Sequence, residues 1–302
     1  MSDIKLFRID GPGVTELKGE AHDLEKPLQT LIESNLDTLM GVRFLASEYS
    51  TGKTHAGRID TLGLDENSCP VILEYKRSMG ENVINQGLFY LDWLMDHRAE
   101  FQLVVLQKFG SEAADLIDWS APRLICIAAD FTKYDGHAVQ QINRNIELIR
   151  YRKFGPGLLL LELVNAVSTQ PSASKAAIRN SGKVTGDKPV AQALAEMEEP
   201  MRQLFDSLEG YLTSLGDDVQ RKDLKLYIAF KRLKNFACVE VRKEYLLLHA
   251  HVNPDTVDLV EGFTRDMRQT GHWGTGDLEI FVRNASDLER AKPLLARAYE
   301  GV

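Results

Sequence analysis

Residues 58–76 read Arg58-Ile59-Asp60-Thr61-Leu62-Gly63-Leu64-Asp65-Glu66-Asn67-Ser68-Cys69-Pro70-Val71-Ile72-Leu73-Glu74-Tyr75-Lys76. An apolar run, a polar turn around Asn67 and a second apolar run predict a β-hairpin. Side chains two apart on a strand share a face, so Glu74 and Lys76 point one way and Tyr75 the other. A hairpin symmetric about Asn67 places Asp60 opposite Glu74. Opposed residues of an antiparallel pair share a face with Cβ atoms about 5 Å apart, and two like charges there repel. A hard divalent cation between them removes the conflict, because such ions take carboxylate oxygens as ligands. Lys76 then lies beside it. The competing reading is a surface hairpin with one solvated polar face. The unbroken Val71-Ile72-Leu73 run argues for a buried strand instead.

Working outward, 302 residues give room for two domains, each able to bury its own core. Hydrophobic residues at 44% and charged residues at 26% are the proportions of a water-soluble globular chain. No apolar stretch approaches the roughly 20 residues of a membrane span, and the first residues lack the apolar core of a secretory signal. Cys69, Cys126 and Cys238 are widely spaced and odd in number, which predicts reduced thiols and a cytoplasmic location. A net charge of -8 argues against a general nucleic-acid coat. It leaves room for a nuclease, which needs positive charge only where it meets phosphates.

Three segments are expected: a first domain over residues 1–166, a flexible linker over 167–190 and a second domain over 191–302. The linker is rich in Ser, Gly, Pro and Lys and has little hydrophobic periodicity. In the first domain, helices are predicted near 24–40 and 81–97, with further helical signal over 99–108, 112–117 and 136–144. A short strand near 4–8, the hairpin, and strands near 123–129, 146–151 and 158–164 complete an α/β mixed sheet with helices on its faces. The second, smaller domain reads as α+β: a helix over 190–215, a meander over 224–249, a strand near 278–282 and a final helix over 285–299.

Gly57-Arg58-Ile59-Asp60 followed by Glu74-Tyr75-Lys76 resembles the Asp…(Asp/Glu)-x-Lys core of the PD-(D/E)XK nuclease superfamily. The Gly-Arg-x-Asp form and the spacing look most like its mismatch and branched-DNA endonuclease branch. Glu33, on the helix before the hairpin, matches an acidic position of that branch. Gln86 and Tyr90 resemble its Gln-x-x-x-Tyr motif, and residues four apart share a helix face. The resemblance covers roughly residues 25–100 and implies a restriction-endonuclease-like fold that hydrolyses phosphodiester bonds of DNA with Mg²⁺ or Mn²⁺. By that resemblance Asp60, Glu74 and the Tyr75 carbonyl hold the metal. Glu33 binds a metal water or helps hold a second ion, or else is a solvated helix carboxylate. Lys76 orients the attacking water, and Gln86 and Tyr90 bond the phosphate or steady Lys76. The alternative is a nuclease-like module that binds nucleic acid or a protein without cleaving.

Arg58 and the cluster Arg144, Arg150, Arg152 and Lys153 are the candidate phosphate contacts. The cluster reads equally well as a solvated edge. Ser50-Thr51-Gly52-Lys53-Thr54 is not a phosphate loop, since the position five before Gly52 is Ser47 and a strand follows. Gly271-His272-Trp273-Gly274-Thr275-Gly276-Asp277-Leu278-Glu279 resembles the signature of an uncharacterised C-terminal domain family sometimes labelled "predicted transport protein". That label fits badly with a chain that has no membrane span. His249, His251 and His272 are scattered strand and loop histidines, a weak case for a metal site. A homodimer and a protein partner on the second domain remain compatible with the sequence.

Overall fold

The computed structural model describes residues 4–21, 25–52, 57–76, 83–167, 189–270 and 274–301. The expected strand near the N-terminus is half of a separate two-stranded hairpin, β1 (Leu6–Asp10) with β2 (Gly13–Leu17). A short β3 (Gly19–Glu20) follows. The single helix predicted near 24–40 is two, α1 (Glu25–Ser34) and α2 (Leu36–Met40). They are separated where the Asn35 side chain donates to the Leu31 carbonyl and the Asn35 N–H to the Ile32 carbonyl. A strand the sequence reading missed, β4 (Val42–Ser50), comes next. The hairpin is present as β5 (Arg58–Asp65) and β6 (Pro70–Lys76), paired Thr61 to Leu73 and Leu62 to Ile72. Its centre is therefore Asn67, as the symmetry argument required. The turn is locked by Asp65, whose Oδ1 accepts the N–H groups of Asn67 and Cys69 at 2.9 and 2.8 Å.

Helices α3 (Val83–Asp96), α4 (Arg98–Phe109) and α5 (Ser111–Asp115) lead to β7 (Arg123–Ala128), parallel to β6. Helix α6 (Lys133–Gln140) leads to β8 (Asn145–Phe154), parallel to β7, and β9 (Leu158–Val167) returns antiparallel. The large sheet runs β3-β8-β7-β6-β5-β4, and β9 also pairs with β8. Ile72 faces Trp93, Leu94 and the other apolar residues of α3 and α4. Val71, Leu73 and Tyr75 face Leu28, Ile32 and Leu36 of α1 and α2. This is the mixed sheet between helices that was expected.

The second unit has α7 (Val190–Ala195) and α8 (Met201–Ser214), with Pro200 preceding α8, where one long helix was predicted. Strands β10 (Gln220–Asp223), β11 (Ile228–Lys231), β12 (Asn235–Val241), β13 (Leu246–Ala250), β14 (Thr264–Asp266) and β15 (Leu278–Val282) form one antiparallel sheet in the order β10-β11-β12-β13-β15-β14. The last helix, α9 (Ala285–Glu300), and α8 cover one face through Leu204, Leu208, Leu212, Leu288 and Leu295.

The other face of that sheet is docked on the β5–β6 turn. Cys69 and Ala121 of the first unit share a buried apolar cluster with Leu224, Tyr227, Ala229 and Cys238 of the second. Asn67 Oδ1 accepts from Tyr227 Oη at 2.9 Å and from Asn235 Nδ2 at 2.7 Å. Arg123, wholly buried, donates to both carboxylate oxygens of Glu147 and to Asp65. Lys231 Nζ reaches Glu147 at 3.1 Å, and Lys222 Nζ lies 3.8 Å from Asp65. The expected flexible linker falls almost wholly on residues 168–188, which lie outside the described residues. The units on either side of it are joined by buried charge as well as by chain.

Candidate active site at the open end of the hairpin

The β5–β6 ladder stops at the Thr61–Leu73 pair. One step further, side chains take over the work of the backbone. Asp60 Oδ2 accepts the Tyr75 N–H at 3.0 Å, and Glu74 Oε1 accepts the Asp60 N–H at 3.2 Å. The two carboxyl groups are thus crossed between the parting strands. Glu74 is fully buried, and its Oε2 has no hydrogen-bond partner. Burial first, and the Asp60 charge second, push the Glu74 carboxyl up to about 9. A group in that state carries its proton at neutral pH.

Lys76 ends β6 two residues beyond Glu74, so by strand alternation it lies on the same face. The donor set fits a divalent cation: two crossed carboxyl groups that repel when ionised, and one buried oxygen with nothing to bond. Such an ion would take the place of the Glu74 proton, since it prefers oxygen ligands.

Glu33 arrives from the other side. Its Oε1 accepts from Thr61 Oγ1 at 2.6 Å and from Gln29 Nε2 at 2.9 Å. Thr61 Oγ1 in turn lies 3.3 Å from Tyr75 Oη, on the α1 face of the sheet. Among the described residues, no group of three or more His, Cys, Asp or Glu side chains is arranged to hold a metal ion. The structure therefore brings Asp60 and Glu74 together and leaves Glu33 as a neighbour that braces β5. Gln29, which the sequence reading passed over, connects these parts. Its Nε2 also donates to the Asp60 carbonyl at 2.7 Å. Its position four residues before Glu33, on the same helix face, was the available signal.

Gln86 and Tyr90 do meet, with Gln86 Nε2 3.4 Å from Tyr90 Oη. Tyr90 is buried and its Oη accepts the Arg58 N–H at 3.1 Å. A Cβ on Gly57 would stand 2.5 Å from the Tyr90 ring, so only glycine lets the ring lie there. The pair fixes the strand that delivers Asp60.

The basic cluster is not one patch. Arg150 is buried and neutralised by Glu162 at 2.6 Å and Asp130 at 3.2 Å, so it is not available to a phosphate. Arg152 shares the Arg150 face of β8, while Lys153 shares the Tyr151 face. Arg144 is exposed and lies in the bend before β8, six residues before Arg150. Arg58 is exposed and pairs with Glu48. The buried His249 bonds Glu240 at 3.1 Å, His251 lies 3.9 Å from Glu66, and His272 lies outside the described residues.

Residues 190–301 match a family model described as "Domain of unknown function (DUF5655)". A Haemophilus influenzae protein described as "Uncharacterized protein" is 28% identical over 303 residues, covering 98% of this chain and 99% of its own. Among solved structures, a repair endonuclease from Pyrococcus abyssi aligns over 45% of this chain and 51% of that one, at 18% identity and a TM-score of 0.28. The structure of an EndoMS–dsDNA2 complex aligns over the same shares, at 19% identity and a TM-score of 0.25. The chain spans about half the length of these two solved chains. Among the described residues, no helix is long and apolar enough to cross a membrane.

Proposed function

We propose that the protein is a nuclease that hydrolyses phosphodiester bonds of DNA with Mg²⁺ or Mn²⁺. The observation that carries this reading is Glu74: a buried carboxyl crossed with Asp60, with one oxygen unpartnered, on a strand that ends in Lys76. Structural scaffolding alone gives no reason to bury such a group. Asp60, Glu74 and the Tyr75 carbonyl would hold the cation. When bound, the ion polarises the scissile phosphate and lowers the pKa of a coordinated water. Lys76 orients the attacking water and offsets charge that develops on the phosphate. Glu33 and Gln29 hold β5 in place through Thr61 and the Asp60 carbonyl, and Tyr90 does so through the Arg58 N–H.

A second reading is a nuclease-like module that binds nucleic acid or a protein without cutting. It is favoured by Glu33, whose carboxylate is occupied by Thr61 and Gln29. Incubation with linear, nicked, branched and mismatched DNA in Mg²⁺ or Mn²⁺ tests the first reading. Cutting lost in Asp60→Ala and Lys76→Ala supports it. No cutting and no Mn²⁺ binding by the parent supports the second.

A further inference from the structure

We propose that Glu48 is an internal stand-in for a backbone phosphate, occupying an anion subsite formed by Lys26 and Arg58 that nucleic acid takes over. The inference rests on the nuclease reading and deepens it by naming a substrate contact outside the metal-binding carboxylates.

Lys26 on α1 reaches Glu48 Oε1 at 2.8 Å, and Arg58 on β5 reaches Glu48 Oε2 at 2.5 Å. Two cations from different elements thus converge on one carboxylate: Lys26 donates a hydrogen bond to Oε1, and Arg58 makes a charge contact, without hydrogen-bond geometry, with the buried Oε2. Both cations are mostly exposed, at 59% and 68% of their side chains, whereas Glu48 is at 29%. An approaching anion meets the cations from solvent without moving the core. The Lys26 hydrogen bond holds the Glu48 carboxyl below its ordinary range, so the stand-in is charged at neutral pH.

The subsite adjoins the carboxylate pair. Glu48 lies on β4 between Ser47, which pairs with Thr61, and Tyr49, which pairs with Ile59. Its strand neighbour is therefore Asp60. The backbone at Glu48 is in the left-handed region, φ +54°, which a residue with a Cβ adopts at a cost. The β4–β5 pairing skips Glu48 and Asp60 and keeps one register on either side of them. Lys26 also donates to Gln29 Oε1 at 3.3 Å, so the subsite and the Asp60 strand share a brace. Isolated exposed ion pairs contribute little to stability, which makes this one easy to exchange for a polyanion.

The test measures binding of a fluorescein-labelled duplex by anisotropy in Ca²⁺, with a cleavage assay in Mg²⁺ run in parallel. Glu48→Gln keeps the hydrogen-bonding shape and removes the competing charge. It should bind DNA roughly three- to tenfold more tightly at moderate salt. Lys26→Ala should weaken binding and lower the salt slope by about one unit, as loss of one phosphate contact does. In the Lys26→Ala/Glu48→Gln double variant, the gain from Glu48→Gln should shrink. Circular dichroism and melting on each variant separate these effects from misfolding. Should Glu48→Gln bind DNA no better than the parent while the parent cuts, the stand-in idea fails and the nuclease reading survives. Tighter DNA binding by Glu48→Gln without cleavage by any variant supports the subsite and overturns the nuclease reading. A parent and variants that neither bind nor cut DNA overturn both.

Discussion

Burial first, and the neighbouring Asp60 charge second, disfavour ionisation of Glu74. Its folded value, about 9, lies above the ordinary 4.5, so the folded chain binds the extra proton more tightly than the unfolded chain does. In EDTA, the stability this group contributes is full below pH 4.5 and falls as the pH rises through about 9. Glu74→Gln removes that dependence. Between pH 6 and 9 the parent should lose melting temperature relative to Glu74→Gln, at about 2–4 °C per kcal/mol for a chain of this class. A bound cation competes with the same proton. Mn²⁺ affinity, read by calorimetry, should therefore rise by up to about tenfold per pH unit below pH 9. A flat profile would mean that another carboxylate holds the ion. Lys76→Ala belongs at this scale too. It should cut DNA about 10²- to 10³-fold more slowly, the usual loss for one electrostatic donor, while binding Mn²⁺ as the parent does.

The β5–β6 hairpin carries the argument at the scale of elements. It was legible because its information is local: alternation, an Asn67-centred turn and two carboxylates equally spaced from it. Strand β4 was not legible. Its register shifts at a bulge between Phe44 and Ala46, and Glu48 leaves the extended region, so alternation fails where it matters. The crossing of Asp60 and Glu74 followed from the hairpin, whereas the bracing role of Glu33 needed the position of α1. Arg150 misled because its partners, Glu162 and Asp130, come from another strand and a loop. The contact between α3 and the start of β5 gives a further expectation. Gly57→Ala would drive a methyl into the Tyr90 ring, and such overpacking costs about 1–3 kcal/mol. Tyr90→Phe keeps the ring and loses the hydrogen bond to the Arg58 N–H, about 1 kcal/mol. Denaturant titration should rank Gly57→Ala as the more damaging. The reverse order would show that the hydroxyl, not the packing, sets the strand.

For the whole molecule, the buried charges between the units decide how it holds together. Lys231 is pushed below the ordinary lysine range, first by burial and then by the nearby Arg123 charge. Its charged form is therefore a cost in the folded state, and Lys231→Met should change stability by about 1 kcal/mol or less. Glu147 differs: Arg123 and Lys231 both rest on it and hold its carboxyl well below the usual range. Glu147→Gln takes the paired carboxylate from buried Lys231 and leaves Arg123 with Asp65 alone, and should cost about 3–5 kcal/mol. Nothing local in the sequence announced this network, since Asp65, Arg123 and Glu147 lie on three different strands and Lys222 and Lys231 reach them from the other unit. Two fragments produced by a protease cut between residues 168 and 188 should co-elute on size exclusion at neutral pH. Separate elution of folded fragments would show that the shared polar face is weak.

The docked arrangement also equips the protein with its own clock. Cys69 lies in the hairpin turn and Cys238 on β12, both in the cluster that the two units share, while Cys126 lies inside the first sheet. Burial raises all three thiols and shields them from a solvent-borne reagent. Parting of the units bares Cys69 and Cys238 together, whereas Cys126 waits for the sheet itself to open. The lag between the first two labelling events and the third measures how much of the chain's stability belongs to the union of its halves rather than to either half.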